Sequence, residues 1–275
     1  MTSFLDRPTA RGTARVAYQV RGDGPLVVTV PGMGDLRSAD AALAEALVAD
    51  GFRVASLDLR GHGDSDLGFD ELGDEATASD LIALIEHLGG PAMLVGTSMA
   101  ASAALVAAAE RPELVRALVL FSPFVRNPGG SRSASRLLLR MLFARPWGVA
   151  AWVAYYRGTL NRGTAPADHA AHVAEIRASF SRPGRLADFR RLTQVLDHAP
   201  VEARLAQVRA PALAVIGALD PDYPDPAAEL AHVARVLPGV RTVLVDAAAH
   251  YPHRQRPELV LPAVRAFVRE VTASA

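Results

Sequence analysis

A short apolar run, a tight turn and an alanine-rich stretch near the middle of the chain constrain its fold more than any other feature. Residues 91–95 have the length and composition of a buried strand, and residues 99–110 contain almost nothing that would stop a helix. The turn between them holds Gly96, Thr97 and Ser98. We therefore predict a strand–turn–helix unit in which Ser98 lies at the top of a sheet.

A serine at such a bend projects its hydroxyl beside the first backbone N–H groups of the helix, which is the geometry of a nucleophile elbow. Strand and helix approach each other closely there, so small residues must flank the serine. Gly96 precedes Ser98 by two positions and Ala100 follows it by two, which gives the pattern G-x-S-x-A. Because such patterns also arise by chance, the alternative is a serine in an ordinary turn between strand and helix.

Apolar strands alternate with helices on both sides of this unit. Strands are predicted over 26–30, 53–57 and 115–121, with an alternating edge strand over 13–20. One helix is predicted to end near Ala49, with Ser38 or Asp40 as its cap, and another over 74–88. This order predicts an α/β fold in which a parallel, doubly wound sheet has helices on both faces.

The alternation stops between residues 125 and 207, where no convincing strand occurs. The helices predicted there cover 132–144, 147–160, 166–180 and 184–198. It resumes with strands over 212–217 and 241–245, a helix over 226–237 and a last helix from about 255 to 271. We therefore expect a core domain formed by residues 1–124 and 206–275, and an all-helical cap, or lid, formed by residues 125–205.

The composition excludes several classes of function. The 275 residues include 29 basic residues, all of them arginine, and 29 acidic residues, so the net charge of zero argues against a nucleic-acid surface. The absence of cysteine excludes disulfides, thiolate metal sites and a cysteine nucleophile. No apolar run reaches membrane-spanning length and the first residues lack the pattern of a signal peptide, so we expect a cytoplasmic protein.

Residues that follow the predicted strands are the candidates for chemistry, because ligands of open parallel sheets bind beyond the carboxyl ends of the strands. The segment 31–34 (Pro-Gly-Met-Gly) follows the first central strand, and Ser98 follows the strand of the elbow. Asp220 follows the strand over 212–217, and His250 follows the strand over 241–245. These strand ends offer a loop of backbone N–H groups, a hydroxyl, a carboxylate and an imidazole.

In these features, together with the segment 58–65 (Asp-Leu-Arg-Gly-His-Gly-Asp-Ser), the chain resembles the α/β-hydrolase fold superfamily. The resemblance is to its serine-nucleophile branch with a helical cap, and it extends over essentially the whole chain. It implies a mostly parallel, doubly wound sheet with an inserted all-helical cap. The chain departs from the usual pattern at Pro31, where a histidine is more common, and at Ala100.

The same resemblance implies roles for individual residues. Ser98 would be the nucleophile, His250 the general base and then the general acid, and Asp220 the residue that orients His250. Backbone N–H groups of Met33 and Met99 would form the oxyanion hole. No cofactor and no metal ion is implied.

Neighbouring residues offer the same chemical groups. Asp222 and Asp225 share a loop with Asp220, which we prefer because it lies nearest the end of the strand; Asp225 is expected to cap the next helix. His253 lies three residues beyond His250 and is interpreted as a surface histidine.

Three further histidines have structural interpretations. His62 is expected to pack in its loop beside the oxyanion segment. His169 and His172 have helical spacing in the cap but no evident third ligand, so a solvated pair is favoured over a metal site. Asp168 and Glu175 are interpreted as ordinary charges on the same helix.

The cap region is rich in aromatic residues, which favours a largely apolar substrate pocket. Seven of the sixteen aromatic residues lie there: Phe143, Trp147, Trp152, Tyr155, Tyr156, Phe180 and Phe189. We expect Trp147, Trp152 and Tyr155 to line the pocket and Phe124 to line it from below. For any one of them, the alternative is packing between the helices of the cap.

The leading hypothesis is a serine hydrolase that cleaves a small or medium-sized apolar ester, lactone or thioester through an acyl-enzyme. Two alternatives stay open, namely hydrolysis of a carbon–carbon bond in a diketone by the same residues, and a ligand receptor or sensor on this fold. Epoxide hydrolase and haloalkane dehalogenase chemistry is disfavoured because it needs an aspartate at position 98. The expected partner is a small apolar molecule, with no nucleic acid and no membrane span, for a monomer or homodimer.

Overall fold

A computed structural model describes residues 1–127, 129 and 132–273, with the side chains of residues 132–135 excepted. In this part of the chain, the strands are β1 (Ser3–Thr9), β2 (Gly12–Arg21), β3 (Leu26–Val30), β4 (Arg53–Leu57), β5 (Ala92–Thr97), β6 (Val115–Phe121), β7 (Ala212–Gly217) and β8 (Arg241–Val245). They form one sheet in the order β1-β2-β4-β3-β5-β6-β7-β8. Strand β2 is antiparallel to both its neighbours, and the pairs from β4 through β8 are parallel. The predicted fold class is confirmed.

The edge of this sheet differs from the sequence prediction. The strand predicted over 13–20 as an edge strand is β2, which lies one position inside the sheet, and the edge is β1, which the pattern did not reveal. Only Leu5 of β1 is buried, so this strand carries no apolar signal. It is held instead by a ladder from Ser3 opposite Tyr18 to Thr9 opposite Gly12.

Helices cover both faces of the sheet. They are α1 (Ala41–Ala49), α2 (Asp74–Leu88), α3 (Met99–Glu110), α4 (Arg132–Leu142), α5 (Gly148–Tyr155), α6 (His169–Ser181), α7 (Arg185–Val195), α8 (Ala199–Glu202), α9 (Pro226–Val236), α10 (Pro252–Gln255) and α11 (Pro257–Ala273). One apolar cluster joins the sheet to α2, α3 and α9, and a second joins it to α1 and α11. Every residue of β3, β5 and β7 is therefore buried, as in other parallel sheets.

Two predicted helix boundaries were wrong in detail. A 3-10 turn over Arg37–Asp40 precedes α1, and Asp40 stands at the cap position without a side-chain capping hydrogen bond. The predicted last helix corresponds to α11, which begins at Pro257 because this proline disfavours a helical conformation at Arg256, and the short helix α10 precedes it.

The helices between β6 and β7 form an inserted region. A third apolar cluster there joins Trp152 and Tyr156 to Phe180 and Phe189, which fixes α5, α6 and α7 against one another. A single π-helical turn over Tyr156–Leu160 extends α5. Among the described residues, no helix is long and apolar enough to cross a membrane.

Candidate active site

The turn between β5 and α3 holds Ser98 in a backbone conformation that residues other than glycine rarely adopt, with φ of 58°. Gly96 permits this turn, because a Cβ atom there would lie 2.6 Å from the backbone of Ala100. Ala100, in the first turn of α3, is fully buried, so its methyl group fits within the packed interior. Strained backbone of this kind is stored at functional sites, where the surrounding structure can hold it.

His250 lies in the loop after β8, which contacts the loop after β7. Its Nδ1 lies 2.9 Å from Oδ2 and 3.0 Å from Oδ1 of Asp220, and both side chains are buried. The two loops are joined by a hydrogen bond from the backbone N–H of Leu219 to the carbonyl of Ala248. Because the carboxylate accepts the proton of Nδ1, the geometry assigns the lone pair of the neutral ring to Nε2.

A second carboxylate lies close to the same ring. Oδ2 of Asp222 is 3.5 Å from Nδ1 of His250, and Oδ1 of Asp222 accepts a hydrogen bond of 3.0 Å from the hydroxyl of Tyr155. Burial, together with the charge of Asp220, raises the pKa of Asp222. His250 therefore faces two acidic groups rather than one.

These neighbours control the protonation of the histidine. Burial lowers the pKa of His250, but the charges of Asp220 and Asp222 outweigh burial and raise it to about 9. Burial likewise opposes ionisation of Asp220, yet the charge of His250 holds the pKa of this carboxyl below its usual value. The pair therefore has a strong preference for the ionised carboxylate beside the imidazolium.

The same three side chains could also ligate a cation. One ligand atom each from Asp220, Asp222 and His250 lies within 4.8 Å of the others. A metal ion there would compete with the hydrogen bond between Nδ1 and Asp220. The cluster thus belongs to the acid–base group already described.

The loop after β3 is held rigidly beside Ser98. The backbone N–H of Gly34 donates to Nε2 of His62 over 3.0 Å, and the indole N–H of Trp152 donates to the carbonyl of Gly34 over 2.8 Å. The peptide groups on both sides of the Gly34 Cα are therefore fixed, and Met33, the residue before Gly34, lines the same cavities as Ser98.

His62 performs the packing role predicted from its loop. Its Nδ1 lies 2.9 Å from the carbonyl of Arg60, so Nδ1 donates and Nε2 is left to accept from Gly34. Burial lowers the pKa of His62 to about 4. The ring is therefore a neutral acceptor at physiological pH, as this arrangement requires.

Two cavities meet at Ser98. The first, here called the apolar arm, has a volume of about 320 Å³ and includes Leu142, Phe143 and Tyr251 among its lining residues. The second, the polar arm, has a volume of about 410 Å³ and includes Arg136 and His198. The residues common to both are Met33, Ser98, Leu139 and Asp222.

The structure places three of the four predicted pocket residues at these cavities. Trp152 and Tyr155 line the apolar arm, and Phe124 lines the polar arm. Trp147 lies outside both, with 54% of its surface exposed and its indole N–H donating to the carbonyl of Met141. Its position at the start of α5 turns it to solvent, which the sequence pattern did not indicate.

The expectation of a solvated histidine pair was wrong for His172. This residue is buried, and its Nε2 lies 2.6 Å from Oδ1 of Asp35, whose Oδ2 accepts from the hydroxyl of Tyr156. Arg254 donates to the same hydroxyl and to Asp168. This polar network joins α6 and the π turn to the loop after β3.

His253 was also predicted wrongly as a surface residue. It is buried, stacked on Phe121 with ring centroids 4.2 Å apart, and its Nε2 lies 3.2 Å from Asp40. The prediction for Asp225 is confirmed, since its carboxylate caps α9 by accepting from the N–H of Ala228.

Two residues of the polar arm were not singled out by the sequence. His198 is buried, and its Nδ1 lies 2.7 Å from Oδ2 of Asp74, which is 124 positions away. Arg136 lies within a helix rich in arginine and leucine. Neither shows a local pattern that separates it from ordinary structural residues.

Comparison with known proteins identifies the class. The Alpha/beta hydrolase family profile matches residues 27–263, and the chain belongs to this family. The protein is therefore a hydrolase.

Individual relatives refine this placement. The chain is 28% identical to 2-(acetamidomethylene)succinate hydrolase of Mesorhizobium japonicum, over 96% of this chain and 95% of that protein. It is 29% identical to a pimeloyl-[acyl-carrier protein] methyl ester esterase of Neisseria meningitidis, over 79% of this chain and 69% of that protein. Among solved structures, it is similar to a malate-bound thermophilic esterase from Thermogutta terrifontis, with a TM-score of 0.78, 25% identity, and coverage of 98% of this chain and 99% of that one.

Proposed function

We propose that this protein is a serine hydrolase that cleaves an ester, lactone or thioester through an acyl-enzyme. Ser98 is the nucleophile, His250 the general base and acid, and Asp220 the orienting carboxylate. The observation that carries the proposal is that Ser98, at a strained elbow, and His250, bonded to Asp220, line one cavity.

Each group has a defined task in this proposal. Nε2 of His250 removes the proton of the Ser98 hydroxyl as the oxygen attacks the substrate carbonyl, because a serine hydroxyl alone is a weak nucleophile. The imidazolium then returns that proton to the departing alcohol or thiol. Water repeats the sequence on the acyl-enzyme and releases the acid. Asp220 keeps the ring in the tautomer that both steps need.

The negative charge that develops on the substrate oxygen needs fixed donors. We assign this task to the backbone N–H groups of Met99, at the start of α3, and Met33. The first N–H groups of a helix have no acceptor within the helix and lie at the positive end of its dipole. The loop that carries Met33 is immobilised through Gly34, so this donor is preorganised.

The cap supplies the apolar part of the site. Residues 125–205 form this cap in our proposal, and Trp152 and Tyr155 line the apolar arm from it. A volume of about 320 Å³ suits a small or medium-sized apolar group. The ester hydrolases among the relatives support this substrate class.

Labelling with a fluorophosphonate probe and hydrolysis of 4-nitrophenyl butyrate test the proposal. Wild type should be labelled and should turn over many times, whereas Ser98→Ala should lose labelling and at least about a thousandfold in kcat. Ser79→Ala is the matched control, because Ser79 lies on α2 and outside both cavities. Unchanged labelling or turnover in Ser98→Ala would remove Ser98 from the mechanism.

The same assay separates the alternatives. Faster turnover of a diketone than of esters and lactones would favour carbon–carbon hydrolysis by the same residues. Labelling of Ser98 with turnover that stops after one equivalent would favour a receptor or sensor.

A further inference from the structure

The two arms of the active site differ in character although both begin at Ser98. The apolar arm is walled by residues such as Leu142, Phe143 and Trp152. The polar arm adds two side chains with ionisable nitrogen groups, Arg136 and His198. A substrate whose scissile bond lies at Ser98 must place its two halves in chemically different surroundings.

Arg136 is the first unusual feature of the polar arm. Within the described part of the chain its guanidinium has no acidic partner, unlike that of Arg191 on α7, which is paired with Asp188 at 3.3 Å, and Arg136 lines a cavity that reaches Ser98. A guanidinium at the wall of a partly enclosed cavity gives up hydration without gaining a carboxylate. Such a group binds a carboxylate or another planar anion strongly when one arrives.

His198 is the second feature, and its orientation is fixed. Nδ1 is engaged by Asp74 at 2.7 Å, and the ring is stacked on Phe124 with centroids 4.9 Å apart and an angle of 8° between the planes. The atom left for a ligand is therefore Nε2. Because an ionised carboxylate only accepts hydrogen bonds, Nε2 can bond to one only when it carries a proton.

We propose that the polar arm recognises a carboxylate of the substrate, held by the guanidinium of Arg136 with Nε2 of His198 as a second contact. The substrate class is then an ester or thioester with an apolar half for one arm and an acid-bearing half for the other. This assignment rests on the proposed serine hydrolase function.

The charge of Asp222 limits where that carboxylate can lie. Asp222 lines both arms where they meet, so it repels an anion close to the scissile bond. The carboxylate must therefore be separated from the ester group by a short chain that reaches Arg136. A dicarboxylic half-ester with a spacer of several carbons fits this requirement better than an oxalate or malonate half-ester.

Two pairs of esters test this specificity. In the first pair, mono-(4-nitrophenyl) glutarate carries the carboxylate in its acyl half and is compared with 4-nitrophenyl pentanoate. In the second, the butyrate ester of 4-hydroxybutyrate carries it in its alcohol half and is compared with pentyl butyrate. Wild type should prefer the anionic member of at least one pair.

Arg136→Gln should lower kcat/KM for the preferred anionic ester at least about tenfold and leave its neutral counterpart within about twofold. Arg140→Gln is the matched control, because Arg140 is an exposed residue of the same helix that lines neither arm. Absence of any anionic preference in wild type, or equal losses for both members of the pair, would overturn the proposal.

A binding measurement separates this inference from the proposed function. Calorimetric titration of glutarate into Ser98→Ala should show binding that weakens at least about tenfold in Ser98→Ala/Arg136→Gln. If no ester is hydrolysed but glutarate binds through Arg136, the hydrolase proposal fails and the anion site stands. If glutarate binds both variants equally or neither, the anion site is refuted whatever the hydrolysis assay gives.

Discussion

Both carboxylate oxygens of Asp220 lie within 3.0 Å of Nδ1 of His250, although 30 positions of the sequence separate the two residues. The neighbouring strands β7 and β8 bring their loops together, and no local pattern encodes the contact. This pair fixes the tautomer of His250 and, with Asp222, its protonation.

The pH dependence of the reaction follows from this pair. Because the pKa of His250 is raised to about 9, most of the resting enzyme holds an imidazolium at pH 7 and lacks the base. We expect kcat/KM for a neutral ester to increase with pH, to reach half its maximum near pH 9 and to level off above it, since only the deprotonated ring accepts the serine proton. Initial rates between pH 6 and 10 measure this rise in kcat/KM.

Asp222→Asn should move this rise in kcat/KM toward lower pH by about one unit, because one of the charges that favour imidazolium is lost. Asp225→Asn is the matched control, since Asp225 caps α9 and is not among the groups that shift His250. An unchanged pH profile in Asp222→Asn would show that Asp222 does not control the protonation of His250.

The two carboxylates should also differ in their effect on rate. Asp220→Asn leaves an amide that no longer selects the proton on Nδ1, and we expect kcat to fall about ten-thousandfold. Asp222→Asn keeps the Asp220 contact, so kcat at its own optimal pH should stay within about tenfold of wild type. Equal losses in the two variants would mean that Asp222 shares the orienting role.

Much of the fold could be predicted because its central elements are encoded locally. The predicted bounds of α2, α3, β3, β4, β6, β7 and β8 coincide with those observed. Apart from β8, which is largely exposed, these segments are buried apolar runs or helices with clear ends, so propensity and burial favour the same structure. Strand β1 was not predicted, because backbone pairing stabilises it while all of its side chains except Leu5 remain at least partly exposed.

The candidate site was predictable only where chain order carries information. Ser98, Asp220 and His250 follow strands directly, so topology brings them to one edge. Trp147, His172 and His253 were misjudged because burial depends on packing between distant segments. His172 is buried by Asp35, which is 137 positions away, and no helical periodicity indicates such a partner.

The neutral state of His62 makes folding stability depend on pH. The unfolded chain binds a proton at this histidine below its ordinary pKa of about 6.5, whereas the folded protein binds it only below about 4. Between these values the unfolded state holds more protons, so acid favours unfolding. Lowering the pH from 7.5 to 5 should cost wild type about 2 kcal/mol of free energy of unfolding through His62 alone.

His62→Gln isolates this contribution, because the amide oxygen can still accept from Gly34 but does not titrate. Urea denaturation of both proteins at the two pH values gives the comparison. The loss on acidification should be about 2 kcal/mol smaller in His62→Gln, since groups common to both proteins cancel. Equal losses would show that His62 titrates normally in the folded state.

The close contact of Gly34 with Trp152 predicts that the loop after β3 is rigid. Gly34 has φ of 80°, and a Cβ atom there would lie 2.1 Å from the indole ring of Trp152. Gly51 has a similar φ of 88°, but nothing lies within 4 Å of the corresponding position. Gly51→Ala therefore measures the backbone cost alone, about 1 kcal/mol, and Gly34→Ala should cost about 3 kcal/mol because the steric clash is added.

Removing the ring should abolish the difference between the two glycines. In a Trp152→Ala background, Gly34→Ala should cost no more than Gly51→Ala, because the atoms that a new methyl group would meet are gone. Urea denaturation gives the stabilities, and 4-nitrophenyl butyrate hydrolysis reports whether the Met33 donor is displaced. Persistence of the larger cost without the indole would place the constraint in the backbone at residue 34 rather than in its contact with the cap.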